Sequence, residues 1–575
     1  AFPVLGALPF AVAQPFWSLR VGSPGNDRIS DVKSDAAGNL FVTGEFSGTA
    51  DFGEITMNAV GGLDAFVAKV SPDGEVIWFK SLGGYGLDRG IKLALGPSNT
   101  LAVTGEFMGT ADFQGTTLVS QNYTADMFTA LFDRTTGTMQ WVRQGGGALA
   151  ADRPYGVTIA PSGQVTIAGE FKGTAAWDGF SLTSTPDQDS GIPTQDVVVV
   201  SYAADGTPLW VQQGAADRAD RAIDVVNDPQ GNIYVAGQFS DTITFDQTHL
   251  NPMYNATFLL KLDPAGQEVW FRRCGGAVFD HVRDMLYTPG GELLLTGDLQ
   301  GNMIFLDSAP DMITGQDPYN YYLLRVGTDG ELIASEQVGS ENGLSAGAID
   351  LRNDTVVVLG QFNCQFTDMS THYGGTGLFM AAGEEDLFLS KHRFSDLGFI
   401  ESRQVGGPGT KLYGQVAILP DGDVVCSGSF ERSVSYIVEA QDQVTLDWWF
   451  PNYDNLVAAP EWYGDCGWFQ DQVFHGQSAI GLTDGLLARV YERDSVVYDW
   501  WHRMDPQCAH DTVWTMCVGA PWGSGCPDTV TFCGIGELTA QLPFPPSFDE
   551  DDYQVNSAGP PVTFEWNTGD TTISI

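Results

Sequence analysis

A five-residue segment built around a glycine recurs seven times along this chain, and it limits the fold more than any other feature. The first four copies read Val42-Thr43-Gly44-Glu45-Phe46, Val103-Thr104-Gly105-Glu106-Phe107, Ile167-Ala168-Gly169-Glu170-Phe171 and Val235-Ala236-Gly237-Gln238-Phe239. Weaker copies follow at Gly297, Gly360 and Gly428, with successive glycines 60–68 residues apart, a spacing somewhat longer than common propeller periods. A second column keeps step, as Asp64, Asp126, Asp196, Ala256, Asn320, Asp386 and Asp484 each open an apolar run. About 14 residues later stand Trp78, Trp141, Trp210, Trp270 and Tyr498, with Ala334 and Ile400 as exceptions.

Within the first unit, residues 29–33, 40–46, 64–70 and 76–82 alternate apolar and polar positions, and turn residues such as Ser71-Pro72-Asp73-Gly74 separate them. Such runs with such punctuation are strand and hairpin signals. Four strands repeated seven times predict an all-β, seven-bladed β-propeller. A glycine in the middle of each second strand predicts a bulge or a close backbone approach. An extra outer-strand copy, Phe16-Trp17-Ser18-Leu19-Arg20, is expected to complete the last blade and remove an open sheet edge, while residues 496–500 either compete for that position or lead out of the propeller.

The predicted domains are an apolar N-terminal segment at 1–15, the propeller at 16–503, and a Cys-rich linker leading into a β-sandwich module at 504–575. For residues 1–13, which end in Ala11-Val12-Ala13, two readings stay open: the tail of a secretory signal peptide, or a retained apolar strand. The final strand-like run at 562–575 has no closing strands after it, so the chain reads as the N-terminal part of a longer polypeptide. A net charge of −45 argues against nucleic acid and anionic membrane surfaces, both of which need a basic patch. No apolar run reaches the length of a membrane span. Cys508, Cys517, Cys526 and Cys533 crowd into about 26 residues, which fits local disulfides in an exported protein better than a zinc site. Cys274, Cys364 and Cys426, inside the repeats, read as small core residues.

Departures from the repeat carry the functional candidates. The seventh unit is interrupted at 438–483 by an insertion rich in rings: Trp448, Trp449, Phe450, Tyr453, Trp462, Tyr463, Trp468 and Phe469. These can pack as a small core, form an interface to another module or chain, or stack on glycans, and they are the candidate binding residues. Shorter insertions at 183–195 and 368–385 read as loops. A further column, Asp27, Asp88, Asp152, Asp220 and Asp280, lies 17 residues before each of the first five glycines, and each aspartate precedes an Arg or His. Ion pairs or turn caps between blades are the natural reading, and a ring of carboxylates holding a cation such as calcium is the alternative. No other cofactor is expected. The seven histidines fall out of register and form no metal-binding pair, and neither a phosphate-binding glycine motif nor a nucleophile elbow is present, so no enzyme is expected.

The stretches 42–52 and 103–113, followed by Asp64-Ala65-Phe66-Val67-Ala68-Lys69 and Pro72-Asp73-Gly74, resemble the bacterial SBBP propeller repeat family over residues 16–503. The tail Phe564-Glu565-Trp566-Asn567-Thr568-Gly569-Asp570-Thr571-Thr572 is similar to Ig-like repeats of large Bacteroidetes surface adhesins, with Asn567 where a serine is usual. The resemblance implies a non-enzymatic extracellular or cell-surface module, acting in adhesion or surface assembly and exported by type IX secretion. Its partners would be other modules or copies of its own longer chain, a surface protein or a glycan. A self-assembling or secretion-associated structural component, and a glycan-binding or glycan-cleaving exoprotein, are the rival readings.

Overall fold

A computed structural model describes residues 18–436, apart from short internal stretches of which 367–378 is the longest, and several separate strands between 475 and 574. The N-terminal segment lies outside the described residues. The chain divides into two compact units, one formed by 1–437, 463–467 and 474–491, the other by 438–462, 468–473 and 492–575.

In the first unit, one repeat lays down four antiparallel strands side by side. Arg28–Ser34, Leu40–Phe46, Asp64–Val70 and Val76–Gly84 run from the inner to the outer edge of their sheet. The next repeat then adds two strands to that outer edge, Thr110–Phe113 and Thr116–Val119, with Ala111 opposite Gly84. Four strands per sheet was therefore an underestimate: among the described residues, six of the seven sheets in this unit have six strands and one has four. In the six-stranded sheets the added hairpin comes from the short alternating stretch after the next repeat's glycine strand. In the first repeat this is Thr49–Phe52, whose Ala50 and Phe52 are buried while Thr49 and Asp51 face water. Its placement covers an edge that would otherwise present unpaired backbone groups.

The chain start closes the last sheet. Ser18–Gly22 pairs antiparallel with Asp484–Val490, Leu19 opposite Leu487, beside Val424–Phe430 and Lys411–Ile418. The first strands of successive sheets neighbour one another in cyclic order, and Lys411–Ile418 lies beside Arg28–Ser34. The apolar core follows the same order. Leu40 and Val42 join Ala417, Leu419 and Val425 of the last sheet, while Phe41 and Val67 join Leu93 and Val103 of the next. Alternate residues of one strand thus enter different cores, because each sheet is covered on both faces. Sheets packed face to face around a common centre form a β-propeller.

Two sequence columns find their causes here. At the glycine column the first strand carries a bulge, between Ile29 and Asp31 in the first sheet and between Gly90 and Lys92 in the second. A Cβ on Gly105 would strike the Arg89 carbonyl oxygen and the Phe128 ring, so the bulged backbone needs a residue without a side chain. The tryptophan column straps neighbouring sheets together. Trp141 Nε1 donates to the Ala204 carbonyl at 3.0 Å and Trp270 Nε1 to that of Thr328 at 3.0 Å, each acceptor in a turn of the following repeat. Gly206, at φ +81°, serves that turn twice: it takes the left-handed conformation and leaves room for the Trp141 ring.

Of the second unit, Val513–Cys517 pairs with Thr529–Cys533, and Thr563–Trp566 runs parallel to Thr539–Leu542 and antiparallel to Ile573–Ser574. Replacing Gly105 by alanine is expected to cost about 2–3 kcal/mol of stability through overpacking. Gly290→Ala, whose new methyl meets nothing closer than Thr288 Oγ1 at 3.7 Å, should be near neutral. Urea unfolding of the two variants checks this, and equal midpoints would remove the close-approach explanation.

Candidate binding face

The aspartate column resolves into turn caps. Asp27, Asp88, Asp152, Asp220 and Asp280 are all buried. Asp88 Oδ2 accepts from the Gly84 N–H at 2.7 Å and Oδ1 from Met108 N–H at 3.1 Å. Asp152 repeats the pattern with Gly147 N–H at 2.7 Å and Lys172 N–H at 3.0 Å. Asp27 takes Ser23 N–H and Ser47 N–H at 2.7 and 2.8 Å, and Asp220 takes Ser240 N–H at 2.7 Å. Each of the first three links the end of one sheet's outer strand to the end of the next sheet's second strand. Their oxygens are occupied by local amides, and among the described residues no three acidic, His or Cys side chains converge as metal ligands.

Deeper along the first strands lies a second polar set that sequence reasoning passed over. Lys92 Nζ meets Asp284 Oδ1 at 3.3 Å, and Gln415 Nε2 donates to Asp284 Oδ2 at 3.0 Å. Asp31, Asp224 and Asp284 also each accept a backbone N–H from a later sheet: Leu93 at 2.7 Å, Met285 at 3.0 Å and Ile349 at 2.8 Å. Burial raises Asp31 and pushes Asp224 up to about 7. Burial acts the same way on Asp284 and is the largest single influence, but Lys92, Lys33 and the hydrogen bonds from Ile349 and Asp224 together outweigh it and hold that carboxyl below its ordinary value. Burial also opposes the charge of Lys92, which Asp284, Asp224 and Asp31 together sustain. Asp31, Lys92, Asp224, Asp284 and Gln415 each stand 13 residues before their glycine, a regularity the sequence held in view.

Next to the aspartate caps the first and second strands carry opposite charges in register. Arg28 faces Glu45, Arg89 faces Glu106, Arg153 faces Glu170, Arg221 faces Gln238 and His281 faces Asp298. The pairs join across sheets into a belt. Arg89 Nη1 and Arg153 Nε hold the two oxygens of Glu106, each at 2.9 Å, while Arg89 lies 3.9 Å from Glu45. Tyr155 Oη donates to Glu170 at 3.0 Å, and Arg283 pairs with Asp298 at 2.6 Å. Burial raises Glu45, Glu170 and Asp298 and lowers His281. The belt is layered: the Glu106 side chain is 6% exposed, whereas Arg89 and Arg153 are 37% and 44% exposed. Arg221 is exposed and donates to the neutral Gln238 oxygen at 3.2 Å, with no ion pair among the described residues. Exposed Tyr85 and Leu87 lie on the loop leading to Arg89, and exposed Leu149 on the loop leading to Arg153.

The eight candidate rings, Trp448, Trp449, Phe450, Tyr453, Trp462, Tyr463, Trp468 and Phe469, lie outside the described residues, as does most of the insertion at 368–385. A serine–histidine pair does exist, with Ser390 Oγ 2.9 Å and Tyr321 Oη 3.0 Å from His392 Nε2. All three are sealed in the core, and burial takes His392 down to about 4, so the group joins strands and meets no substrate. His249, 2.9 Å from Glu268, stacks on Phe271 and is likewise structural.

Burial pushes Asp88 and Asp152 up to about 7, against the backbone N–H bonds that pull the other way. An acid raised from its ordinary 3.8 stabilises the fold fully below that value, and the contribution is lost as pH rises through about 7. The double variant Asp88→Asn/Asp152→Asn should therefore show a shallower fall in stability between about pH 5 and 8 than the parent. Urea midpoints across that range check it, and parallel slopes would sink the assignment.

No protein-family model matches the chain, and no curated protein matches it. Among solved structures it is similar to the β-propeller domain of the Trilobed protease from Pyrococcus furiosus, at 9% identity and a TM-score of 0.35 over 70% of this chain and 89% of that one. It is similar to the Dos1 propeller, at 7% identity and 0.35 over 82% and 95%. A third is the phage phi92 endosialidase, at 12% identity and 0.33 over 94% and 78%. At these scores the activities of those proteins are not carried to this chain.

Proposed function

We propose that the first unit is a seven-bladed β-propeller and the non-enzymatic binding head of an extracellular or cell-surface protein of the adhesin or appendage type. The cyclic order of the seven sheets, closed by Ser18–Gly22, supports the blade number. The second unit we read as a Cys-rich linker entering an Ig-like module, on the tail motif alone. The observation that carries the binding reading is the layered belt, where guanidinium groups meet solvent above buried carboxylates and exposed apolar residues stand on the loops leading to Arg89 and Arg153. A rigid scaffold that presents such groups on loops is how binding proteins separate stability from recognition. The exterior location rests on the net charge of −45 and on the family resemblance.

Antibody imaging of the intact protein on its producing cells is expected to show isolated propeller heads at the outer surface. Ordered arrays of touching propellers would favour the structural-assembly reading instead. Label confined to the cell interior would end the extracellular reading.

A further inference from the structure

The facing of arginine by glutamate ends after the third repeat, and the first departure leaves a cation exposed. In the first three repeats the arginine faces a glutamate; in the fourth, Arg221 faces Gln238. Glu170 accepts the Tyr155 hydroxyl at 3.0 Å and feels the charges of both Arg221 and Arg153. Arg28 behaves similarly, since its Nη2 donates to the neutral Tyr413 carbonyl at 3.2 Å. Five guanidinium groups (Arg28, Arg89, Arg153, Arg221, Arg283) thus share four belt carboxyls (Glu45, Glu106, Glu170, Asp298), and burial raises Glu45, Glu170 and Asp298. The carboxyls beneath are buried, so the groups this part of the belt presents to solvent are the guanidiniums of Arg89, Arg153 and Arg221.

From this we infer that the face binds a terminal carboxylate-bearing sugar, with Arg221 and Arg153 taking the carboxylate. The inference rests on reading the propeller as a binding head. A guanidinium grips a carboxylate through two parallel N–H bonds, a geometry that a lysine does not offer. The strongly acidic exterior repels an extended polyanion, so the occupant is compact and carries few charges. Tyr85 is 86% exposed on the loop before Arg89. Tyr123 is 77% exposed beside Asn122, whose amide reaches the Ala148 carbonyl at 3.4 Å on the loop before Arg153. Exposed ring faces of this kind suit a pyranose better than an acidic peptide.

Calorimetric titration of the full chain with methyl glucuronide, methyl glucoside and tetraglutamate tests the inference. The glucuronide should bind, more weakly as salt rises, and the neutral glucoside should not. Gln238→Glu restores the residue of the first three repeats, so the fold is retained, and it should weaken the glucuronide roughly tenfold by pairing Arg221. Arg221→Ala should do the same. Equal affinity for both sugars, binding of tetraglutamate alone, or indifference to Gln238→Glu would each overturn the proposal. Failure of both sugars to bind, with propeller heads still imaged on the cell surface, would overturn it while leaving the binding-head reading in place.

Discussion

A carboxylate buried between two sheets, each oxygen taking a backbone N–H from a different strand end, is the interaction on which the arrangement depends. Asp88 and Asp152 both bridge the last residue of one outer strand to the last residue of the glycine strand of the following sheet. Backbone donors at such strand ends have no ladder partner, and leaving them buried and unpaired costs more than the bond itself returns. The aspartate therefore satisfies two amides and fixes how one sheet follows another. Apolar contact between sheets supplies most of the stabilisation but has no direction, and the caps provide it.

Charge is sorted by depth around this framework. Lys92 and Asp284 share a network that is nearly closed to solvent, in which the polar groups join several first strands. The Arg–Glu belt is half open, with its acids below and its cations above. Beyond it the surface is strongly acidic. Ion pairs buried to this degree contribute little net stability because desolvation offsets the attraction, yet breaking one leaves a costly lone charge. The inner network is thus best understood as a device for register. The belt, in contact with water, is free to exchange one anionic partner for another.

The repeat, the strand-turn punctuation and the closing N-terminal strand were legible because each depends on local spacing. The aspartate column was legible as a cap, since an acid that recurs beside a turn has few other roles. Its basic neighbours were misjudged: Arg89 and Arg153 do not pair with the aspartates beside them but with Glu106, which comes from a different strand. The hairpins such as Thr49–Phe52 were missed because four alternating residues look the same whether they form a loop or extend a neighbour's edge. Lys92 and Asp224 escaped notice because their column mixes aspartate at 31, 224 and 284 with lysine, glutamine and glycine elsewhere, so its recurrence is partial.

By itself the sequence determined the all-β class, the seven repeats and the special glycine in each second strand, and it offered residues 16–20 as one of two candidates to close the last sheet. These follow from periodicity and from backbone sterics, which act over a few residues. Only the tertiary structure decided which charges meet, which stay wet and which side chains are sealed. Arg221 is an arginine like Arg153 until the fold sets Gln238 opposite it, and Ser390 and His392 look reactive until the fold buries both. Electrostatic character depends on burial and on partners distant in the chain, and neither is written in local spacing.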